Sequence, residues 1–144
     1  MRTLLVLLFI SLLSCRPSNK IGELIGVSKE RSLENTYWVL TEINGMALAD
    51  SPKAPFIQLN PDGNKISGFG GCNQLAGQYT LSGKKITFKI IATRMFCQET
   101  MEIETGYLQA LDNANEFVID EHTLLLKHEK KIALKFKAEI KSQY

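Results

Sequence analysis

No stretch of this sequence stays apolar for the roughly 20 residues that a membrane-spanning helix needs. The longest such run, Leu4 to Leu13, is about half that length. An excess of charge of one sign is missing too. Lys and Arg number 17 against 15 Asp and Glu, a formal net charge of +2. So small a basic excess gives no electrostatic footprint for nucleic acid, which is not an expected partner. No Gly-x-Ser-x-Gly, His-Glu-x-x-His or Cys-x-x-Cys occurs. Without them a nucleophile, its base and an oxyanion site cannot be assembled from the sequence, and no enzymatic activity is expected. The histidines are scarce: His122 and His128 fall six apart on one strand pattern, about 20 Å and too far to share a metal. No cofactor or metal is expected. Repeats of fixed period and low-complexity tracts are also absent.

What is present begins at the N-terminus. Arg2 precedes the apolar run, and Leu12-Leu13-Ser14-Cys15 ends it. This is the charge-then-apolar order of a secretory signal. Arg16-Pro17-Ser18-Asn19 follows, and proline disfavours a continuing helix. The Leu-Leu-Ser-Cys end resembles the bacterial lipobox, whose cysteine thiol takes a diacylglycerol. Residues 1–14 are therefore expected to be a signal peptide, and Cys15 the lipidated residue. Several acyl chains on one cysteine anchor stably, since each buried methylene contributes roughly 0.8 kcal/mol. The membrane is then a partner through the lipid. The expected location is the bacterial cell envelope, on the outer membrane facing the periplasm, because Arg16 is not an inner-membrane retention aspartate. Polar and small residues fill the stretch to residue 34, which reads as a flexible tether.

Two cysteines remain, Cys72 and Cys97. Export places them where disulfides persist, and their number is even. A bridge between them is the favoured reading. Two buried reduced thiols are one alternative. A soft-metal or redox-responsive pair, helped by Met95 and Met101, is the other.

The chain from residue 35 to 138 reads as one domain, with 139–144 as a tail. Tyr37-Trp38-Val39-Leu40-Thr41-Glu42-Ile43 is β-rich and ends at Asn44-Gly45, a turn. Phe56 to Asn60 and Lys65 to Phe69 flank Pro61-Asp62-Gly63-Asn64 and form a hairpin. Further alternating runs cover Gly77 to Leu81, Lys85 to Ile90, Glu116 to Asp120, Thr123 to His128 and Lys131 to Lys137. In the last, Ile132, Leu134 and Phe136 are expected to point inward. Between about residues 100 and 115 the period changes to helical, with Ile103, Tyr107, Ala110, Leu111 and Ala114 on one face. Glu102 and Glu104 are expected on the solvated side. The fold class is α+β: a curved, largely antiparallel sheet or partial barrel of about eight short strands with one packed helix. Gly68, Gly70 and Gly71 allow a tight bend, and Asn73 can bond nearby backbone there. That bend would deliver Cys72 beside Cys97. It is not a phosphate loop, since no Gly-Lys-Ser/Thr follows.

Three pieces carry a resemblance. They are Tyr37-Trp38-Val39-Leu40 with Gly45; Ser67-Gly68-Phe69-Gly70-Gly71-Cys72-Asn73 with Gly77 and Tyr79; and Ala92-Thr93-Arg94-Met95-Phe96-Cys97. Followed by Glu104-x-x-Tyr107-Leu108-x-Ala110-Leu111, the sequence resembles the META domain, or HslJ-like, family. The resemblance implies a curved antiparallel sheet with one helix, no established enzymatic activity, and frequent export as a lipoprotein, in some members linked to heat or envelope stress. Likeness in shape to secretion-pilot lipoproteins implies an envelope protein or a lipid as partner.

Overall fold

A computed structural model describes residues 31–51 and 53–139. The signal peptide, Cys15, most of the tether and the tail from residue 140 lie outside the described residues. No helix among the described residues is long and apolar enough to cross a membrane.

Alternation builds the sheet. In β1 (Tyr37–Ile43) Trp38 and Leu40 are buried, and the alternation then slips so that Ile43, not Glu42, is the next one in. Thr41 is an extra residue there: Leu40 faces Phe136 across the ladder, whereas Glu42 already faces Lys135. A bulge of this kind tightens the twist that a closing sheet needs. The Thr41 hydroxyl fixes it by donating to the Lys135 carbonyl at 3.0 Å. A two-residue strand, β2 (Met46–Ala47), folds back on β1 through Asn44 and Gly45. Both turn residues have positive φ, as a tight hairpin turn demands.

The remaining strands are β3 (Phe56–Asn60), β4 (Lys65–Phe69), β5 (Gln74–Ser82), β6 (Lys85–Ala92), β7 (Glu116–Asp120), β8 (Thr123–His128) and β9 (Lys131–Glu139). Each pairs antiparallel with the next, and β1 pairs with both β3 and β9. The sheet therefore closes on itself as a barrel. The one weak seam lies between β6 and β7, which share the single pair Lys85–Glu116. The helix α1 (Met101–Asn113) belongs to the connection across that seam and packs on β6, β9, β1 and β8. Tyr107 and Leu111 are fully buried against the barrel core of Trp38, Ile57, Leu59 and Phe136. Burying side chains of this size stabilises by roughly 1.5–3 kcal/mol each. The Tyr107 hydroxyl has no hydrogen-bond partner among the described residues, and burial pushes its pKa far above the usual phenol range.

Two expectations change. Ile132 does not point inward: it is 47 % exposed, while Ala133 is buried beside Leu134. A second bulge causes this. Leu126 faces Leu134 but Lys127 faces Ile132, so Ala133 is the extra residue and the faces exchange. The described residues hold nine strands, in keeping with the expected eight or so, the two-residue β2 being the addition. The fold also begins earlier than residue 35. Leu33 is buried, its carbonyl accepts from Trp38 Nε1 at 2.9 Å, and Tyr79 donates its hydroxyl to the Glu34 carboxylate. Burial, with that contact second, holds the Tyr79 phenol well above its ordinary range.

Candidate functional site

Two loops and the first turn of α1 meet where β4 and β6 end and β5 begins. The first loop is Gly70-Gly71-Cys72-Asn73 and the second runs from Thr93 to Thr100. The tight bend in the first loop needs its glycines for different reasons. Gly71 takes φ +109°, which favours a residue without Cβ. Gly70 is required by proximity, since a Cβ there would stand 2.5 Å from Glu104 Oε2. Gly68 likewise gives way to the Phe56 carbonyl on β3.

Glu104 is the centre of this arrangement. Its side chain is buried, at 5 % exposure, and not on the solvated helix face where a charged residue is first placed. Oε2 accepts from the Cys72 and Asn73 backbone N–H groups at 3.1 and 2.6 Å. Oε1 accepts from Asn73 Nδ2 at 2.6 Å. All three neighbours are donors, so both carboxylate oxygens are satisfied. Glu104 lies in the first turn of α1. Glu102, by contrast, is exposed as expected.

Asn73 carries the connection across to the second loop. Its Oδ1 accepts from Met95 N at 2.7 Å and from Thr93 Oγ1 at 2.8 Å. Its Nδ2 donates to Met95 O at 3.2 Å as well as to Glu104. Every hydrogen-bonding place of the amide is thus filled. The side chain pairs with the Met95 backbone as a strand would, so its role is wider than a local turn bond. A disulfide joins the same loops: Cys72 and Cys97 are bonded, with Cα atoms 5.8 Å apart. This oxidised pair offers no thiolate to a soft metal. Among the described residues no three His, Cys, Asp or Glu side chains come together around a common point. His128 instead places Nδ1 2.7 Å from the Asn113 carbonyl.

Reduction of the bridge should lower stability by roughly 3 kcal/mol in the chain-entropy model. Thermal melts with and without a membrane-permeant reductant measure this, and a drop of about 10–20 °C is expected. An unchanged melting temperature would mean the bonds of Asn73 and Glu104 hold the loops without it.

The pinned loop turns its apolar side chains outward. Met95 is 59 % and Phe96 80 % exposed, and Ile91 on the adjoining strand is 73 % exposed. Behind them a trough of about 620 Å³ reaches Met101 and Leu108. It adjoins a smaller groove of about 310 Å³ between β6 and α1, the two sharing Ala92 and Leu108.

A closed antiparallel barrel with one helix across its seam is the class this geometry defines. The family is defined by sequence as well: the META domain model matches residues 31–140. The chain belongs to the META domain family. Among solved structures it is similar to a protein from Burkholderia xenovorans studied by NMR, at 28 % identity and a TM-score of 0.61. That match covers 74 % of this chain and 83 % of the other. A second NMR structure matches at 25 % identity and a TM-score of 0.58, covering 72 % and 89 % of the two chains. A DUF4847 family protein from Bacteroides vulgatus shares the fold at 21 % identity and a TM-score of 0.50, over 62 % and 61 %. No curated protein matches the sequence significantly.

Proposed function

We propose that the chain is a non-enzymatic binding module of the bacterial cell envelope, lipid-anchored through Cys15 and acting in a chaperone-like way under heat or envelope stress. One observation carries this reading: three large apolar side chains, Ile91, Met95 and Phe96, are exposed together beside a trough. Exposed apolar surface of this kind marks interaction sites. Here the backbone beneath is cross-linked and hydrogen-bonded, so little ordering entropy opposes binding. The partner that fits is a protein with apolar surface to cover. The anchor would keep the module at the membrane where such partners are exported.

A pull-down of the lipidated protein from its own membrane tests the reading. The unaltered chain should bring down envelope protein. An Ile91→Ser, Phe96→Ser double variant should lose it while melting within a few degrees of the parent, because both side chains are solvent-facing. Equal recovery by the two chains would sink the proposal, and so would recovery of lipid alone. Cys15→Ser should release the protein into the soluble fraction; unchanged membrane attachment would refute the anchor.

A further inference from the structure

The seam beside β6 leaves part of a strand without a partner. Antiparallel pairing sends the backbone groups of alternate residues to opposite sides. Ile86 directs its N–H away from β5, donating to the Asn115 carbonyl at 3.2 Å. Thr93 directs its own toward β5, donating to the Gln74 carbonyl at 3.1 Å. By the period of two, Phe88, Ile90 and Ala92 aim their N–H and C=O groups to the same side as Ile86. There β7 has already departed, because the β6–β7 ladder holds only Lys85–Glu116. The helix that stands opposite cannot replace it, since an α-helix bonds its own backbone internally. Among the described residues no hydrogen bond reaches the outward backbone groups of these three residues.

In front of them lies the groove of about 310 Å³, walled by Phe88, Ile90 and Ala92 on one side and Leu108, Gln109 and Asp112 on the other. We infer that this groove accepts an extended polypeptide segment, which adds a strand to the free edge of β6. The chemistry selects that occupant. Donors and acceptors repeating every second residue along an edge are complemented by another strand's backbone. An acyl chain in the same groove would cover those groups and leave them unpaired. The apolar walls would take the inward side chains of a β-rich segment. Its outward side chains would emerge beside Ile91, continuous with the exposed apolar loop. The inference rests on the binding-module reading and specifies the conformation of what is bound.

The probe is a seven-residue peptide alternating valine and threonine with lysines at its ends. Two further versions carry N-methyl groups on either alternate set of amides. They are added to the oxidised, isotope-labelled mature-length chain carrying Cys15→Ser. The amides of Phe88, Ile90 and Ala92 should shift and exchange more slowly on addition of the parent peptide. One methylation register should weaken binding at least tenfold and the other much less, because only one set of amides faces β6. Ile90→Pro should abolish peptide binding, since it deletes an edge N–H that the β5 ladder does not use. No binding, shifts confined to other residues, or equal affinity of all three peptides would overturn the inference even if the proline variant failed to fold. Dimerisation through β6 that the peptide does not displace would overturn it as well. Those results leave the binding-module reading standing if the membrane pull-down still depends on Ile91 and Phe96. An empty pull-down defeats that reading whatever the peptide does.

Discussion

Glu104→Ala should be among the most destabilising single changes in this chain, lowering stability by roughly 3–5 kcal/mol. The loss does not come from apolar contact. It comes from Cys72 N, Asn73 N and Asn73 Nδ2, which all donate to this carboxylate in a buried place. Alanine leaves three donors without an acceptor where water has little access. Glu104→Gln keeps one oxygen but turns an NH₂ toward a donor, so its cost should fall between alanine and the parent. Glu102→Ala is the control: its side chain is exposed, and it should change stability by less than about 0.5 kcal/mol. Chemical denaturation of the oxidised proteins measures all three. If Glu104→Ala and Glu102→Ala unfold at the same denaturant concentration, the carboxylate is not what joins helix to loops.

Gly77→Ala should be comparably severe for a different reason. A Cβ at Gly77 would collide with the Lys89 carbonyl oxygen and stand 3.0 Å from Ile90 Cα. Both are backbone atoms of the paired strand, so no side chain can swing aside. Relief requires β5 and β6 to separate along their longest ladder, and a cost of at least about 3 kcal/mol is expected. Gly83 offers the contrast. It also sits on the β5–β6 hairpin, with φ +61° but open space around it. Gly83→Ala should cost only about 1 kcal/mol, from the strained φ alone. Similar denaturation midpoints for the two variants would show that steric closeness at Gly77 is unimportant.

Much of the barrel was legible because its strands alternate and their turns carry Asn, Gly and Pro. The Pro61-Asp62-Gly63-Asn64 hairpin and the helix around Tyr107 are local features, and local chemistry determines them. Ile132 escapes a reading by alternation because a bulge is a property of two paired strands, and Ala133 looks unremarkable in its own sequence. Closure of β1 on β9 and the early departure of β7 are equally non-local. At the site, the glycines and Asn73 read from sequence as a tight bend beside Cys97. What filled that bend was missed. The usual rule that charge stays outside places Glu104 in solvent. Its spacing said otherwise: it lies three residues before Tyr107 and seven before Leu111, on the same helical stripe. A carboxylate on an apolar stripe is a sign of buried donors elsewhere, and Gly70 is the space left for it.

The Cys72–Cys97 bond also changes what happens when the chain is pulled. It encloses the β5–β6 hairpin in a covalent ring with a sequence separation of 25. Tension entering from the residue 31 side and leaving beyond residue 139 would pass through the sulfurs, bypassing the ring. Roughly 85 Å of extended chain, at about 3.4 Å per residue, would stay out of the load path. The strand that carries the free edge, and the apolar residues beside it, sit inside that unloaded loop. An oxidised protein held at one end could be tugged at the other while Ile91, Met95 and Phe96 bore none of the force directly.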